Sequence, residues 1–141
     1  MLKALVAIDG STASLRAVEE AIRFVKDHPA LRIVLLNVQT PADSWELKSH
    51  LREAEIEAMQ TSRGGDALEA ARRMLDAAQV DYAPEVAAGP VAETIVAQAA
   101  SHGCDGILMG NKGETFLEEI VIGSVAHEVL RISTLPVTFI K

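Results

Sequence analysis

Short apolar runs alternate with amphipathic stretches along this chain. Residues 2–8, 33–38, 106–109 and 137–140 are dominated by valine, isoleucine and leucine, and residues 81–88 form a weaker fifth run. None shows the strict alternation of a half-exposed strand. Each therefore reads as a short strand covered on both faces. Between them the apolar positions recur at helical spacing. Leu15, Val18, Ile22 and Val25 share one face, as do Leu68, Ala71, Leu75 and Ala78. Val91, Ile95 and Ala99 follow at spacing four, and Val125, Val129 and Ile132 mark a last helical face.

The boundaries carry start signals. Ser11 or Thr12 suits the cap of the first helix, and Asp66 with Glu69 fits a capping box. Gly89-Pro90 suits another helix start, because proline is tolerated where its missing N–H has no partner to lose. Residues 40–49, with Pro41 and Trp45, read as a loop, and residues 46–59 look helical. Ser62-Arg63-Gly64-Gly65 then predicts a break or bend, since adjacent glycines inside a helix cost about 1 kcal/mol each. The order is β-α-β-α-β-α-β-α-β. It predicts one α/β domain over residues 1–141: a five-stranded, mainly parallel sheet with helices on both faces. Ligands of such folds sit at the carboxyl ends of the strands, which directs attention to the loops after Ile8, Val38 and Met109.

Composition narrows the function classes. Hydrophobic residues make up 49% of 141, enough for a sizeable core, but aromatics are only 4%, so that core is aliphatic and alanine-rich. Thirteen basic against twenty acidic residues give a net charge of −7. With no basic run, a nucleic-acid surface is not expected. A nucleotide remains compatible, because backbone amides bind phosphate without side-chain charge. Cys104 is the sole cysteine, which excludes an internal disulfide. No apolar stretch approaches the roughly 18 residues of a membrane span, and Asp9 ends the first run too early for a signal sequence. A soluble cytoplasmic protein is expected.

The informative chemistry is a set of glycines. Gly110 and Gly113 directly follow an apolar strand, and Gly123-Ser124 precedes a helical pattern. Glycine lets a backbone close on a phosphate, and a helix N-terminus offers free amides and a favourable dipole. By spacing alone, the same glycines also fit plain turns.

The pattern Gly-x2-Gly-x9-Gly-Ser resembles the nucleotide signature of the universal stress protein family, in its ATP-binding branch. The resemblance extends along nearly the whole chain: residues 4–11 resemble the family's first strand and Asp-containing turn, 34–38 the second strand, and 105–110 and 135–140 the last two. It implies a Rossmann-like fold of the adenine-nucleotide α-hydrolase type. It also implies roles for individual residues. Asp9 would lie by the adenine, with Ala7 lining the same pocket and the Val38 backbone meeting the base. Met109 and Gly110 would run beside ribose and phosphates, and Gly113, Gly123, Ser124 and Val125 would bind the phosphates. The ligand implied is ATP, or ADP or AMP. The partner implied is a second copy, joined through the last strand, and the function is stress-response regulation through nucleotide-dependent protein contacts.

One departure bears on the ligand. Between the glycines stand Glu114, Glu118 and Glu119, with Lys112 the one favourable charge. Carboxylates repel a triphosphate unless a divalent cation such as Mg²⁺ intervenes or they face solvent. A degenerate site on an interaction protein is the alternative reading. No general base or arginine finger is in place for phosphoryl transfer, so slow ATP hydrolysis at most is expected. Ser124 and His127 lack the second glycine of a nucleophile elbow. His102 and Cys104 have no further ligands for a metal and read as a surface histidine and a buried thiol. His28 and His50 read as solvated. Asp9, at a strand end, fits either a helix cap or a ligand contact.

Overall fold

The computed structural model describes residues 1–40, 52–111 and 123–141. Among these residues five strands, β1 (Lys3–Ala7), β2 (Arg32–Gln39), β3 (Tyr82–Ala88), β4 (Gly106–Gly110) and β5 (Val137–Ile140), alternate with four helices. The helices are α1 (Thr12–Asp27), α2 (Glu53–Ala77), α3 (Val91–Ser101) and α4 (Ser124–Ile132). All strand pairs are parallel, in the order β3-β2-β1-β4-β5. The predicted α/β architecture is therefore present, with its switch in strand order between β1 and β4.

Two hydrophobic layers cover the sheet. On one face Ala4, Val6, Ile33, Leu35 and Leu108 pack against Ala17, Val18, Ala21, Leu68, Ala71 and Leu75 of α1 and α2. On the other, Leu5, Val34, Leu36, Ile107 and Met109 pack against Ala92, Ile95, Ala99, Ala126 and Val129 of α3 and α4. Strand side chains alternate between the layers, which is why the apolar runs are continuous. The helical faces are centred slightly differently from the aliphatic periodicity. Ala17 and Ala21 are fully buried in α1, whereas Leu15, Ile22 and Val25 flank them. Small residues sit where the helix comes nearest the sheet, and the larger ones wedge in at the sides.

The expected break at residues 62–65 does not occur. α2 runs unbroken from Glu53 to Ala77, so Asp66 and Glu69 lie inside it and form no capping box. At the helix start the Glu55 carboxylate accepts the Arg52 backbone N–H at 3.3 Å. This is half of a capping box, since an arginine side chain has no acceptor to return the bond. Gly64 explains the sequence. A Cβ there would fall inside the van der Waals envelope of Val86 Cγ1 and 2.8 Å from its Cγ2. The glycine lets α2 close onto β3, and its helix-propensity cost is exchanged for that approach. Gly65, by contrast, faces open space. The predicted loop of residues 40–49, apart from Thr40, lies outside the described residues, as do Trp45, His50 and the start of the helix expected over 46–59.

Ser11, rather than Thr12, caps α1: its hydroxyl oxygen accepts the Ser14 N–H at 3.2 Å. Pro90 is the N-cap of α3, one residue before the first helical position. Cys104 is buried, and burial pushes its thiol pKa up; His102 is half-buried and His28 exposed. The two edge strands differ. Hydrogen bonds of the β2–β3 ladder point Ala87 and Gly89 toward β2, so Pro84 turns its missing N–H to the free edge. β5 carries no proline between Val137 and Ile140, and its outward backbone belongs to Val137 and Phe139.

Replacing Gly65 by alanine is expected to stabilise the protein by about 0.5–1 kcal/mol, the ordinary helix-interior gain. At Gly64 the same change meets a stiff β-branched side chain and adds an overpacking cost of about 1–3 kcal/mol. Urea denaturation of Gly64→Ala and Gly65→Ala should therefore separate the two variants by about that amount. Equal midpoints would refute the close-approach explanation.

Candidate functional site

A cleft of about 430 Å³ opens at the carboxyl edge of the sheet, where β1 and β4 part. Its floor and walls come from strand ends: Ala7, Ile8 and Asp9 after β1, Leu36, Val38 and Thr40 on β2, Met109 and Gly110 on β4. Val91 and Ile95 of α3 close one side, and Gly123, Ser124, Val125 and Ala126 supply the start of α4. Eight residues singled out from the sequence thus meet around one space: Ala7, Asp9, Val38, Met109, Gly110, Gly123, Ser124 and Val125. Gly113, Lys112 and the acidic residues Glu114, Glu118 and Glu119 lie outside the described residues.

Local chemistry sets each part of the rim. Asp9 Oδ1 accepts the Ser11 N–H at 2.8 Å, which folds the turn between β1 and α1. Asp9 therefore shapes the approach to the helix, while Ser11 makes the cap. Gly110 admits α1: a Cβ on it would stand 3.0 Å from both the carbonyl carbon and oxygen of Ala13. The N-terminal turn of α1 can therefore lie directly against the end of β4. Gly123 N–H donates to the Asn111 carbonyl at 2.7 Å, so the chain re-enters beside Gly110 after residues 112–122. That bond brings the first and last glycines of the signature together.

Two sets of backbone groups face the cleft. α4 begins at Ser124, and its first intrahelical bond runs from His127 N–H to the Gly123 carbonyl. The amides of Ser124, Val125 and Ala126 precede that bond and have no intrahelical partner. Unpaired amides at the positive end of a helix dipole are groups that can meet an anion. Ser124 is the first helical residue after a glycine N-cap, and no side-chain bond caps the helix. Across the cleft, alternation along β2 directs the N–H and C=O of Val38 toward β1, as it does those of Leu36. β1 has already turned away there, and among the described residues no bond joins Val38 to Ile8 or Gly10. A donor and an acceptor on one residue thus stand beside apolar walls.

The cleft's electrostatics are spare. Asp9 is the only ionisable side chain among the described lining residues, and no lysine or arginine is among them. No group of three or more potential metal ligands occurs among the described residues. Among the described lining residues, the groups able to meet an anion are backbone amides and hydroxyls. Ser14, which no sequence pattern singles out, also lines the cleft; it is only 4% exposed and its hydroxyl donates to the Ser11 carbonyl at 2.8 Å. Asn37, buried beneath the strand end, did leave a trace in the sequence: one amide side chain inside the apolar run 33–38.

The universal stress protein family profile matches residues 1–141. The chain belongs to that family. It is 34% identical to universal stress protein MJ0531 of Methanocaldococcus jannaschii over 99% of this chain and 81% of the relative. It is 30% identical to universal stress protein YxiE of Bacillus subtilis, over 99% and 98%. Among solved structures, that of protein MJ0577 superposes with a TM-score of 0.81 at 29% identity, covering 99% of this chain and 95% of the other. Universal stress proteins of the same fold at lower identity include one from Archaeoglobus fulgidus in complex with dAMP, at 17% identity and a TM-score of 0.72 over 100% and 98% of the two chains. A family member from Arabidopsis thaliana has AMP bound, at 20% identity and a TM-score of 0.70 over 100% and 91%. Another structure, at 24% identity and a TM-score of 0.68 over 99% and 95%, contains cAMP. Among the described residues no helix is long and apolar enough to cross a membrane.

The two serines at helix starts of this universal stress protein should behave differently. Ser11→Ala removes a cap and is expected to cost about 1 kcal/mol. Ser124→Ala removes no side-chain bond to a described residue and should leave stability within about 0.5 kcal/mol. Denaturant midpoints of the two variants check this, and a large loss in Ser124→Ala would contradict the uncapped geometry.

Proposed function

We propose that this protein binds an adenine nucleotide in the cleft and acts as a stress-response regulator through nucleotide-dependent protein contacts, as a member of the family's ATP-binding branch. The observation that carries the reading is the pairing of two backbone sets across apolar walls. The open N–H and C=O of Val38 match the acceptor and donor on the edge of adenine. The Ser124–Ala126 amides match a phosphate. The family members with AMP, dAMP and cAMP support the same ligand class. In this reading Ala7 and Asp9 border the base, Met109 and Gly110 the ribose, and Gly113, Gly123, Ser124 and Val125 the phosphates. The reading is one of binding, with slow ATP hydrolysis at most. Mg²⁺ would accompany ATP only if residues 112–122 bring their carboxylates to the phosphates.

The test is a thermal-shift titration of nucleotide-stripped protein with AMP, ADP, ATP and GTP, with and without Mg²⁺. Ligand at about 100 times its Kd adds about 2.7 kcal/mol, a rise on the order of 5–10 °C for a chain of this size. An adenine-selective rise is expected. No rise at millimolar concentrations would sink the reading and leave a degenerate site on an interaction protein.

The partner proposed is a second copy joined through β5. Its support is the contrast between edges: Pro84 blunts β3, whereas Val137 and Phe139 offer unpaired backbone groups on β5. Light scattering should give twice the 15.1 kDa chain mass. Phe139→Pro, which removes an outward N–H and no ladder bond, should halve it. A monomeric parent would refute the assembly.

A further inference from the structure

Asn37 is 2% exposed and interrupts the apolar run of β2 near its carboxyl end. Its side chain does two things. Nδ2 donates to the Ile8 carbonyl at 2.7 Å, and Oδ1 accepts from Gln39 Nε2 at 2.7 Å. A carbonyl can only accept, so the amide orientation at Ile8 is fixed by chemistry.

The position of that bond matters because of what it replaces. β1 and β2 pair in register from Lys3↔Arg32 to Ala7↔Leu36, and Ile8 N–H continues the ladder to the Leu36 carbonyl at 2.8 Å. The next rung of a parallel ladder is Val38 N–H to the Ile8 carbonyl. That rung is missing, and the Asn37 amide has the carbonyl instead. As β1 turns away, the Ile8 carbonyl is held by the Asn37 side chain and not by the next backbone N–H.

We infer that Asn37 is a positioning residue that ends the β1–β2 ladder one rung early and thereby keeps the Val38 N–H available to a ligand's purine edge. This rests on the adenine-nucleotide reading of the cleft and assigns a specificity device within it. Asn37 touches no ligand; it acts through Ile8 and Val38. Gln39 holds the amide in place by occupying its oxygen. The donor so released suits adenine, whose ring nitrogen at that edge accepts, and opposes guanine, which presents an N–H there. Asn37 thus contributes to the choice of base without lying in the cleft.

The test uses Asn37→Leu, which keeps the side chain buried and removes its donor. The bond that holds the Ile8 carbonyl turned toward Asn37 is then lost, so β1 is released to pair with Val38 and the ladder gains its missing rung. Three readouts follow. In the ligand-free parent, NMR-detected hydrogen exchange at the Val38 amide should be fast, and added AMP should slow it. In ligand-free Asn37→Leu the same amide should already be protected. AMP affinity of the variant should fall about threefold to tenfold, the worth of one ordinary hydrogen bond, and its preference for AMP over GMP should narrow by a similar factor. A merely structural role would lower stability without protecting that one amide or changing base preference. A Val38 amide already protected in the ligand-free parent overturns the inference, a result that needs no variant to fold. So does a folded Asn37→Leu with unchanged affinity and base preference. A parent that binds neither AMP nor GMP overturns the nucleotide reading itself, and the inference with it.

Discussion

Parallel pairing is the constraint on which this molecule depends. When all five strands point the same way, every strand-to-helix turn must fall at one edge of the sheet. The helices that follow then begin there, each with unpaired amides. The cleft results from that arrangement at the one place where neighbouring crossovers leave in opposite directions, between β1 and β4. The close contacts that define it serve the same geometry. Gly110 lets the first turn of α1 lie on the end of β4, and the Gly123–Asn111 bond sets the start of α4 beside it.

Much of the fold was legible because sheet burial and helix amphipathicity leave different periods in the sequence. The five strands appear where the apolar runs predict them, within a residue or so at each end. Residues 62–65 misled for a physical reason. Helix propensity treats each glycine as a local cost, whereas at Gly64 the deciding contact is with Val86, on a strand more than twenty positions away. Propensity has no access to such a contact. The helical faces were similarly approximate: alanines occupy the innermost positions of α1, and counting large aliphatics tilts the expected face toward its flank.

The candidate site was legible through its glycines and strand ends, and less so through its supporting polar groups. Ala7, Asp9, Val38, Met109, Gly110, Gly123, Ser124 and Val125 line one cleft because the fold gathers strand ends and a helix start together. The Asp9 side chain divides its duties otherwise than a helix cap would, since its bond goes to Ser11 and the cap belongs to Ser11 itself. Ser14 and Asn37 escaped notice because their partners are main-chain carbonyls, which sequence patterns do not distinguish. The odd amide in a hydrophobic strand was the visible trace of one of them.

The bond between Gly123 and Asn111 also has a meaning for how such a protein can vary. It closes residues 112–122 at their neck, so both ends of that segment are anchored whatever lies between. Closing a longer loop costs only about 0.6 kcal/mol for each doubling of its length. A change inside the segment therefore bears on the ligand before it bears on the fold: Gly113 and the charges of Lys112, Glu114, Glu118 and Glu119 belong to the proposed site, whereas the neck is held by Asn111 and Gly123 outside the segment.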